Sequence, residues 1–163
     1  MKKSISLIGM AGAGKSSLGN KLAKHLDYEF IDSDLLIEKT KNKSLQKILD
    51  EVGTKKFKEI EEAALLSVKF NKTILATGGS AIFSEEAMYY IKKNSSVIYI
   101  EVSLEEIVDR VSNFSSRGFV KESNQTIQQA FNAREEIYKN FSDHIVSNNR
   151  DLESCFKEIL GLI

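Results

Sequence analysis

The sequence predicts a three-layer α/β domain, a parallel sheet with helices on both faces. Three observations predict it. First, four short apolar runs read as strands: "SISLIG" (4–9), "YEFID" (28–32), "TILAT" (73–77) and "SVIYIEV" (96–102), with a weaker fifth in "DHIVSN" (143–148). Second, helical patterns lie between and after these runs, and a strand-helix-strand-helix order argues for a parallel sheet covered on both sides. Third, 163 residues, 42% hydrophobic and 28% charged, suffice for one soluble domain with a sizeable core and not for two.

Lys plus Arg and Asp plus Glu both number 23, so no net basic field draws the chain to nucleic acid or an anionic membrane. The single cysteine, Cys155, fits a reducing compartment, and no run approaches the length of a membrane span. The start, "MKKSISLIGM", is basic then apolar like a signal peptide. Its apolar run is too short for one, so it reads as the first strand and the chain is expected in the cytoplasm. Proline is absent, so turns must rely on Gly, Asn, Asp and Ser.

The first strand runs into "GMAGAGKSSLG", which fits the pattern G-x-x-x-x-G-K-S/T at Gly9, Gly14, Lys15 and Ser16. Glycines let successive backbone N–H groups turn inward around an anion, and a helix starting near Lys15 adds its positive end. Lys15 is expected to bridge the β- and γ-phosphates and the Ser16 hydroxyl to ligate Mg²⁺. Gly12, Ala13, Gly14, Lys15, Ser16 and Ser17 are the expected contacts to a nucleoside triphosphate. "SLGNKLAKHL" supplies the helix, with Leu18, Leu22 and Leu26 at spacing four.

The second strand ends "FIDSD". At period two, Phe30, Asp32 and Asp34 share a face at the carboxyl end of a parallel strand, where open α/β sheets bind ligands. One carboxylate can orient Mg²⁺ and the other can accept a proton from an attacking hydroxyl; the plainer alternative is a solvated strand end with Asp34 capping a helix. Residues 34–70 hold more helix than one crossover needs. Within them "GTKKFKEIEE" (53–62) starts a helix at an N-capping Thr54, yet Lys55, Lys56 and Lys58 crowd its first turns against the dipole preference. Either this is a solvated face, or Lys58, helped by Glu61, faces a polar acceptor.

The third strand ends "LATGGS", where Gly78 and Gly79 allow backbone to approach a ligand closely, or make an ordinary turn. Residues 113–124 are polar and without apolar period, and Arg117 is their only arginine. That fits a lid closing over the γ-phosphate, against the alternative of an exposed loop arginine. Arg110, just before, is a candidate to stack on adenine. In the helix that follows, Ile127, Ala130, Phe131, Ile137, Tyr138 and Phe141 form an apolar stripe with Arg134 in its middle. An inward arginine must meet an anion, either an internal acid or a ligand carboxylate or phosphate. The C-terminal stripe of Leu152, Phe156, Ile159, Leu160 and Ile163 reads as packing alone. His25 and His144 have no ligand spacing.

In this order the residues resemble shikimate kinase, over essentially the whole chain. The resemblance implies a P-loop kinase fold of the adenylate-kinase-like group, with a five-stranded parallel sheet in the order 2-3-1-4-5. It implies one domain over 1–163, with an acceptor-binding segment at 33–62 and a lid at 112–124. It implies ATP and Mg²⁺, and transfer of phosphate to the 3-hydroxyl of shikimate on the pathway to chorismate and aromatic amino acids. A monomer is expected, with a small-molecule substrate.

Matched residue by residue, Lys15 lies at the phosphates, and Ser16 and Asp32 at Mg²⁺. Asp34 binds the acceptor hydroxyls as the candidate base, and Arg117 is the lid arginine. Phe57-Lys58-x-x-Glu61 falls where the family has Phe-Arg-x-x-Glu. Gly78, Gly79 and Ser80 fall on its triple glycine, and Arg134 and Tyr138 on its Arg-x-x-x-Tyr, whose arginine clamps the shikimate carboxylate. Three positions depart from that pattern. Lys58 keeps an arginine's charge without its fork, Ser80 adds a side chain to the acceptor wall, and Gly118-Phe119 replace Pro-Leu after Arg117. The competing expectations are a kinase of gluconate or a nucleoside, and a nucleotide-binding module without catalysis.

Overall fold

The computed structural model describes residues 4–111 and 124–163. Strands β1 (Ile5–Ile8), β2 (Glu29–Asp32), β3 (Thr73–Ala76), β4 (Ser96–Glu101) and β5 (His144–Ser147) form one parallel sheet in the order β2-β3-β1-β4-β5, as expected. Each strand is a residue or more shorter than its apolar run, because the terminal residues already belong to turns and caps. Of the central strands, β1 and β3 are buried from end to end and β4 at its four middle residues, with Leu7, Ile8, Leu75, Ile98, Tyr99 and Ile100 fully inaccessible. That is the pattern of strands covered on both faces. On the edge strand β5, Ile145 is exposed.

The helices are α1 (Lys15–Leu26), α2 (Ser33–Lys41), α3 (Leu45–Leu66), α4 (Glu85–Asn94), α5 (Leu104–Arg110), α6 (Ile127–Phe141) and α7 (Leu152–Leu160). A short 3-10 turn, Ala81–Phe83, links β3 to α4. Without proline, the helix starts are set by side-chain caps. Asp32, Ser44, Ser84, Ser103, Thr126 and Asp151 each accept a bond from an amide in the first turn that follows. Thr126 also forms a reciprocal capping box with Gln129. Gly53 interrupts α3 with φ 76°, so a helical segment runs on from there, next to the start expected at Thr54, and a further segment from Leu45 precedes it. A glycine takes that left-handed value without steric cost, so two helical segments meet there at a kink.

Two apolar clusters result. The main core joins the sheet to α1, α4, α6 and α7. A separate small core of Ile37, Ile48 and Phe57, backed by Leu45, Leu49, Ile60 and Ala64, holds α2 against α3. The acceptor-binding segment expected at 33–62 thus has packing of its own. Two stripe residues fall outside expectation. Ile127 and Ile163 are exposed, since each sits at the frayed end of its helix or beyond it. Among the described residues no helix is long and apolar enough to cross a membrane.

Candidate active site

Parallel strands place their carboxyl ends together, and register sets which residues meet there. Asp32 pairs with Ala76, and Leu7 pairs with the same alanine from the other side. Beyond the strands, Thr77 N–H donates to Leu7 O and Gly78 N–H to Ser33 Oγ, at 3.1 and 2.8 Å. The loop after β1, the start of α2 and the glycines after β3 are therefore fixed to one another.

The loop after β1 has the expected form. Gly12 and Gly14 adopt φ 83° and 94°. Gly14 is the N-cap of α1 and provides no side-chain cap, so the first amides of that helix are left for an anion. Added methyls would strike Val111 Cγ2 from Gly12 and Asn148 Nδ2 from Gly14, at 2.5 and 2.8 Å. Lys15 is buried, and its Nζ donates to Gly9 O and Met10 O at 2.7 Å each. Burial lowers its pKa to about 8, resisted by the charges of Asp34 and Asp32 and reinforced by Arg134. The arginine of α6 thus acts electrostatically on the lysine of the loop. Ala13 is buried within the loop, and Ser17 lies exposed in the first turn of α1.

Ser16 Oγ donates to Asp32 Oδ2 at 2.5 Å, while Asp32 Oδ1 accepts from the amides of Asp34 and Leu35. Asp32, not Asp34, is therefore the helix cap. It ends β2 one residue before α2 begins, so Asp34 lies in the first turn of a helix and does not share a strand face with Asp32. The Ser16–Asp32 pair fits Mg²⁺, two hard oxygen donors side by side at the loop. Among the described residues no three His, Cys, Asp or Glu side chains gather as a metal cage, so a cation here would take its other ligands from phosphate and water.

Asp34 turns away from this pair toward Gly78. A methyl on Gly78 would lie 2.5 Å from Asp34 Oδ1 and 3.4 Å from Glu61 Oε1. The absent side chain is what lets two carboxylates from α2 and α3 approach the same spot. Burial first and Asp32 second raise the Asp34 pKa to about 6. Glu61 is buried with Oε2 unbonded, and burial, then Asp34, raises its pKa to about 8.

Arg134 is 4% exposed despite its charge. Its Nη1 donates to Gly79 O at 3.2 Å, and the Tyr138 hydroxyl donates to the same carbonyl at 3.0 Å. Tyr138 in turn stacks on Tyr99, with ring centroids 5.0 Å apart. Burial works against the guanidinium charge, and Tyr138 and Glu61 partly restore it. Gly79 lies between the two ends of the site. A methyl there would be 3.4 Å from Ala11 N in the loop and 3.8 Å from Arg134 Nη1.

Lys58 is half-buried, whereas Lys55 and Lys56 are exposed and Lys56 pairs with Glu59 at the surface. The expected lysine cluster therefore divides, and only Lys58 faces inward. With Glu61, Ser80 and Phe83 it lines a cavity of about 110 Å³. Arg110 bonds Glu106 and the carbonyl of Asn148 at 2.9 and 2.6 Å. Arg117 and the lid, apart from Asn124, lie outside the described residues.

Sequence reasoning missed two residues. Buried Asn148 donates through Nδ2 to Ala13 O at 2.9 Å and so braces the phosphate loop from the end of β5. Its position at the carboxyl end of the fifth strand was the available signal. Phe83 lies under both Lys58 and Arg134, a contact no local pattern announces.

The family model described as shikimate kinase matches residues 11–163. The chain is 34% identical over 151 residues to the shikimate kinase of Francisella tularensis subspecies novicida, covering 90% of this chain and 86% of that one. A solved shikimate kinase from Acinetobacter baumannii in complex with shikimate superposes with a TM-score of 0.87 at 28% identity, covering 98% of this chain and 91% of that one. A gluconokinase from Sinorhizobium meliloti shares the fold, with a TM-score of 0.64 at 17% identity over 97% of this chain and 89% of that one. The chain belongs to the shikimate kinase family, and its chemistry is the ATP-dependent phosphorylation of a hydroxyl.

Proposed function

We propose that the acceptor is shikimate, bound between the phosphate loop and α6 with its carboxylate on Arg134 and its reacting hydroxyl toward Asp34. The observation that carries this reading is Arg134 itself. A guanidinium held at 4% exposure inside an apolar stripe, one glycine away from the loop after β1, supports the reading of a small acid bound beside a nucleotide. Lys58 supplies a second positive charge to the same wall. Gluconate also carries a carboxylate, but the likeness to a gluconokinase is one of fold.

The acceptor oxygen attacks the γ-phosphorus, the bond from that phosphorus to the β–γ bridging oxygen breaks, and the hydroxyl proton leaves toward Asp34. At pH 7 Asp34, raised to about 6, is ionised and a stronger base than an ordinary carboxylate. Lys15 and the amides after Gly12 hold the phosphates in line, so most of the rate comes from positioning and charge stabilisation. Ser16 and Asp32 would hold Mg²⁺, which neutralises phosphate charge when bound. Arg117 is assigned to the lid, and Arg110 to the adenine side beside Asn148. One domain acting as a cytoplasmic monomer, with no nucleic-acid or membrane partner, completes the reading. One continuous sheet and balanced charge support it.

The test is shikimate-dependent ADP release by the intact protein and by Arg134→Ala, beside gluconate and nucleosides as acceptors. The variant should raise the KM for shikimate about 10- to 100-fold through lost charge-assisted hydrogen bonds, with ATP binding kept. An unchanged acceptor KM would remove Arg134 as the clamp. Turnover of another acceptor alone would replace shikimate, and tight ATP binding without any turnover would leave a binding module.

A further inference from the structure

No motif singles out Phe83. It closes the 3-10 turn after the Gly78-Gly79-Ser80 run, and its N–H donates to Ser80 O at 3.0 Å. Ala81 and Ile82 beside it are 3% exposed, yet Phe83 is 40% exposed and lines the cavity that Lys58 and Glu61 share. Lys58 Nζ lies 4.4 Å from the centroid of its ring, and Arg134 Cζ 4.9 Å from the same centroid.

Two cations from different helices repel when brought together. Glu61 acts on both cations and offsets part of that repulsion. An aromatic ring adds to this by attracting a cation through its negative face without taking up a hydrogen-bond donor. The need is greatest at Lys58, whose ammonium is a point charge on a flexible four-carbon stem, without the planar fork that orients an arginine. A ring under that stem supplies the direction the fork would have given.

We propose that Phe83 is a positioning residue: it aims Lys58 and Arg134 at one acceptor carboxylate and so sets the preference of the enzyme for acids. This rests on the shikimate reading above. Phe83 needs no contact with the reacting atoms, and an aromatic replacement should preserve its action.

The experiment compares wild type, Phe83→Leu and Phe83→Tyr in ADP release, with shikimate or its uncharged methyl ester as acceptor. Phe83→Leu should raise the KM for shikimate about three- to tenfold. Its kcat and its KM for ATP should stay within about twofold of wild type, and Phe83→Tyr should restore the shikimate KM. With the methyl ester, Phe83→Leu and wild type should match. An equal rise in KM for acid and ester, or no rise with the acid, overturns the proposal. If wild type turns over neither acceptor, the shikimate reading fails first and a second measurement decides for Phe83. The Lys58 ε-methylene protons should be shifted upfield by the ring in wild type and lose that shift in Phe83→Leu. Their absence from the shielded range in wild type removes the contact and the proposal together.

Discussion

The two ends of the site are built on opposite principles. The phosphate end is a contiguous loop, Gly9 to Ser16, whose working parts are mainly backbone amides and one lysine. The proposed acceptor end is gathered from four places: Asp34 on α2, Lys58 and Glu61 on α3, the segment Gly78–Phe83 after β3, and Arg134 on α6. Phosphate is a fixed ligand, and a main-chain nest can serve it with little choice of side chain. An acceptor is recognised by long side chains aimed from separate elements, so its specificity can change one residue at a time. Lys58 and Ser80 both stand at that second end, and both depart from the family pattern.

The sharpest way to break the comparison is Lys15→Ala. Lys15 is fixed between Gly9 O and Met10 O inside the loop, so on the proposed reading its loss should fall mainly on the phosphate end. The kcat should fall on the order of 10²–10³-fold or more, while equilibrium binding of shikimate in the absence of nucleotide stays close to wild type. A comparable loss of shikimate affinity would mean that the two ends are one electrostatic unit, as the influence of Arg134 on Lys15 would allow.

A pair of glycine substitutions separates the ends by steric means. Gly78→Ala places a methyl 2.5 Å from Asp34 Oδ1 and should lower kcat/KM for the acceptor about 10- to 100-fold through misplacement of the base. Overpacking should cost about 1–3 kcal/mol of stability. Gly12→Ala meets both a left-handed φ of 83° and Val111 Cγ2 at 2.5 Å, so it should weaken ATP and spare acceptor binding. Mant-ATP fluorescence and shikimate calorimetry on both variants check the crossover, and identical profiles for the two would erase the distinction.

What could be read from the sequence follows the same division. The form of the loop is legible because its pattern lies in consecutive residues, and the burial of Arg134 because a charge in an apolar stripe violates helix periodicity. The sheet order came with the resemblance, and register then explains why Asp32 meets Ser16. Strand alternation puts Asp34 on one face with Asp32, but Asp32 spends one oxygen as a helix cap, and the chain has turned helical before Asp34. The helix start read at Thr54 falls beside Gly53, but the segment from Leu45 that joins it there has no such signal. Phe83 and Asn148 each matter through a partner more than 20 residues away, so Phe83 carries no local signal and Asn148 only its position at the end of the fifth strand.

A smaller effect sharpens the acceptor end. Lys58→Arg restores a planar fork where the ammonium now stands 4.4 Å from Phe83. If Lys58 serves the acceptor carboxylate, the substitution should lower the KM for shikimate about three- to tenfold, within the range of one charge-assisted hydrogen bond. ATP binding should not move. No gain would show that the ring already orients the lysine as well as a fork would.

The smallest effect is one of pH, and it too separates the ends. Glu61 is raised from 4.5 to about 8 by burial and then by Asp34, so between those values the folded protein holds a proton that the unfolded chain releases. Where the folded state binds more protons, unfolding free energy falls as pH rises. Stability should therefore decline across roughly pH 4.5 to 8 and level off above, with Asp34, raised from 3.8 to about 6, adding to the early part. Lys15, lowered from 10.5 to about 8, acts only above that window and with the opposite sign, because there the unfolded chain binds more protons. Glu61→Gln removes the titration while keeping the shape. Its melting temperature should drop less between pH 5 and 8 than that of wild type, by a few degrees. Parallel curves would mean that Glu61 stays ionised throughout, paired with Lys58 or Arg134, and the acceptor wall would then carry one positive charge fewer toward its ligand.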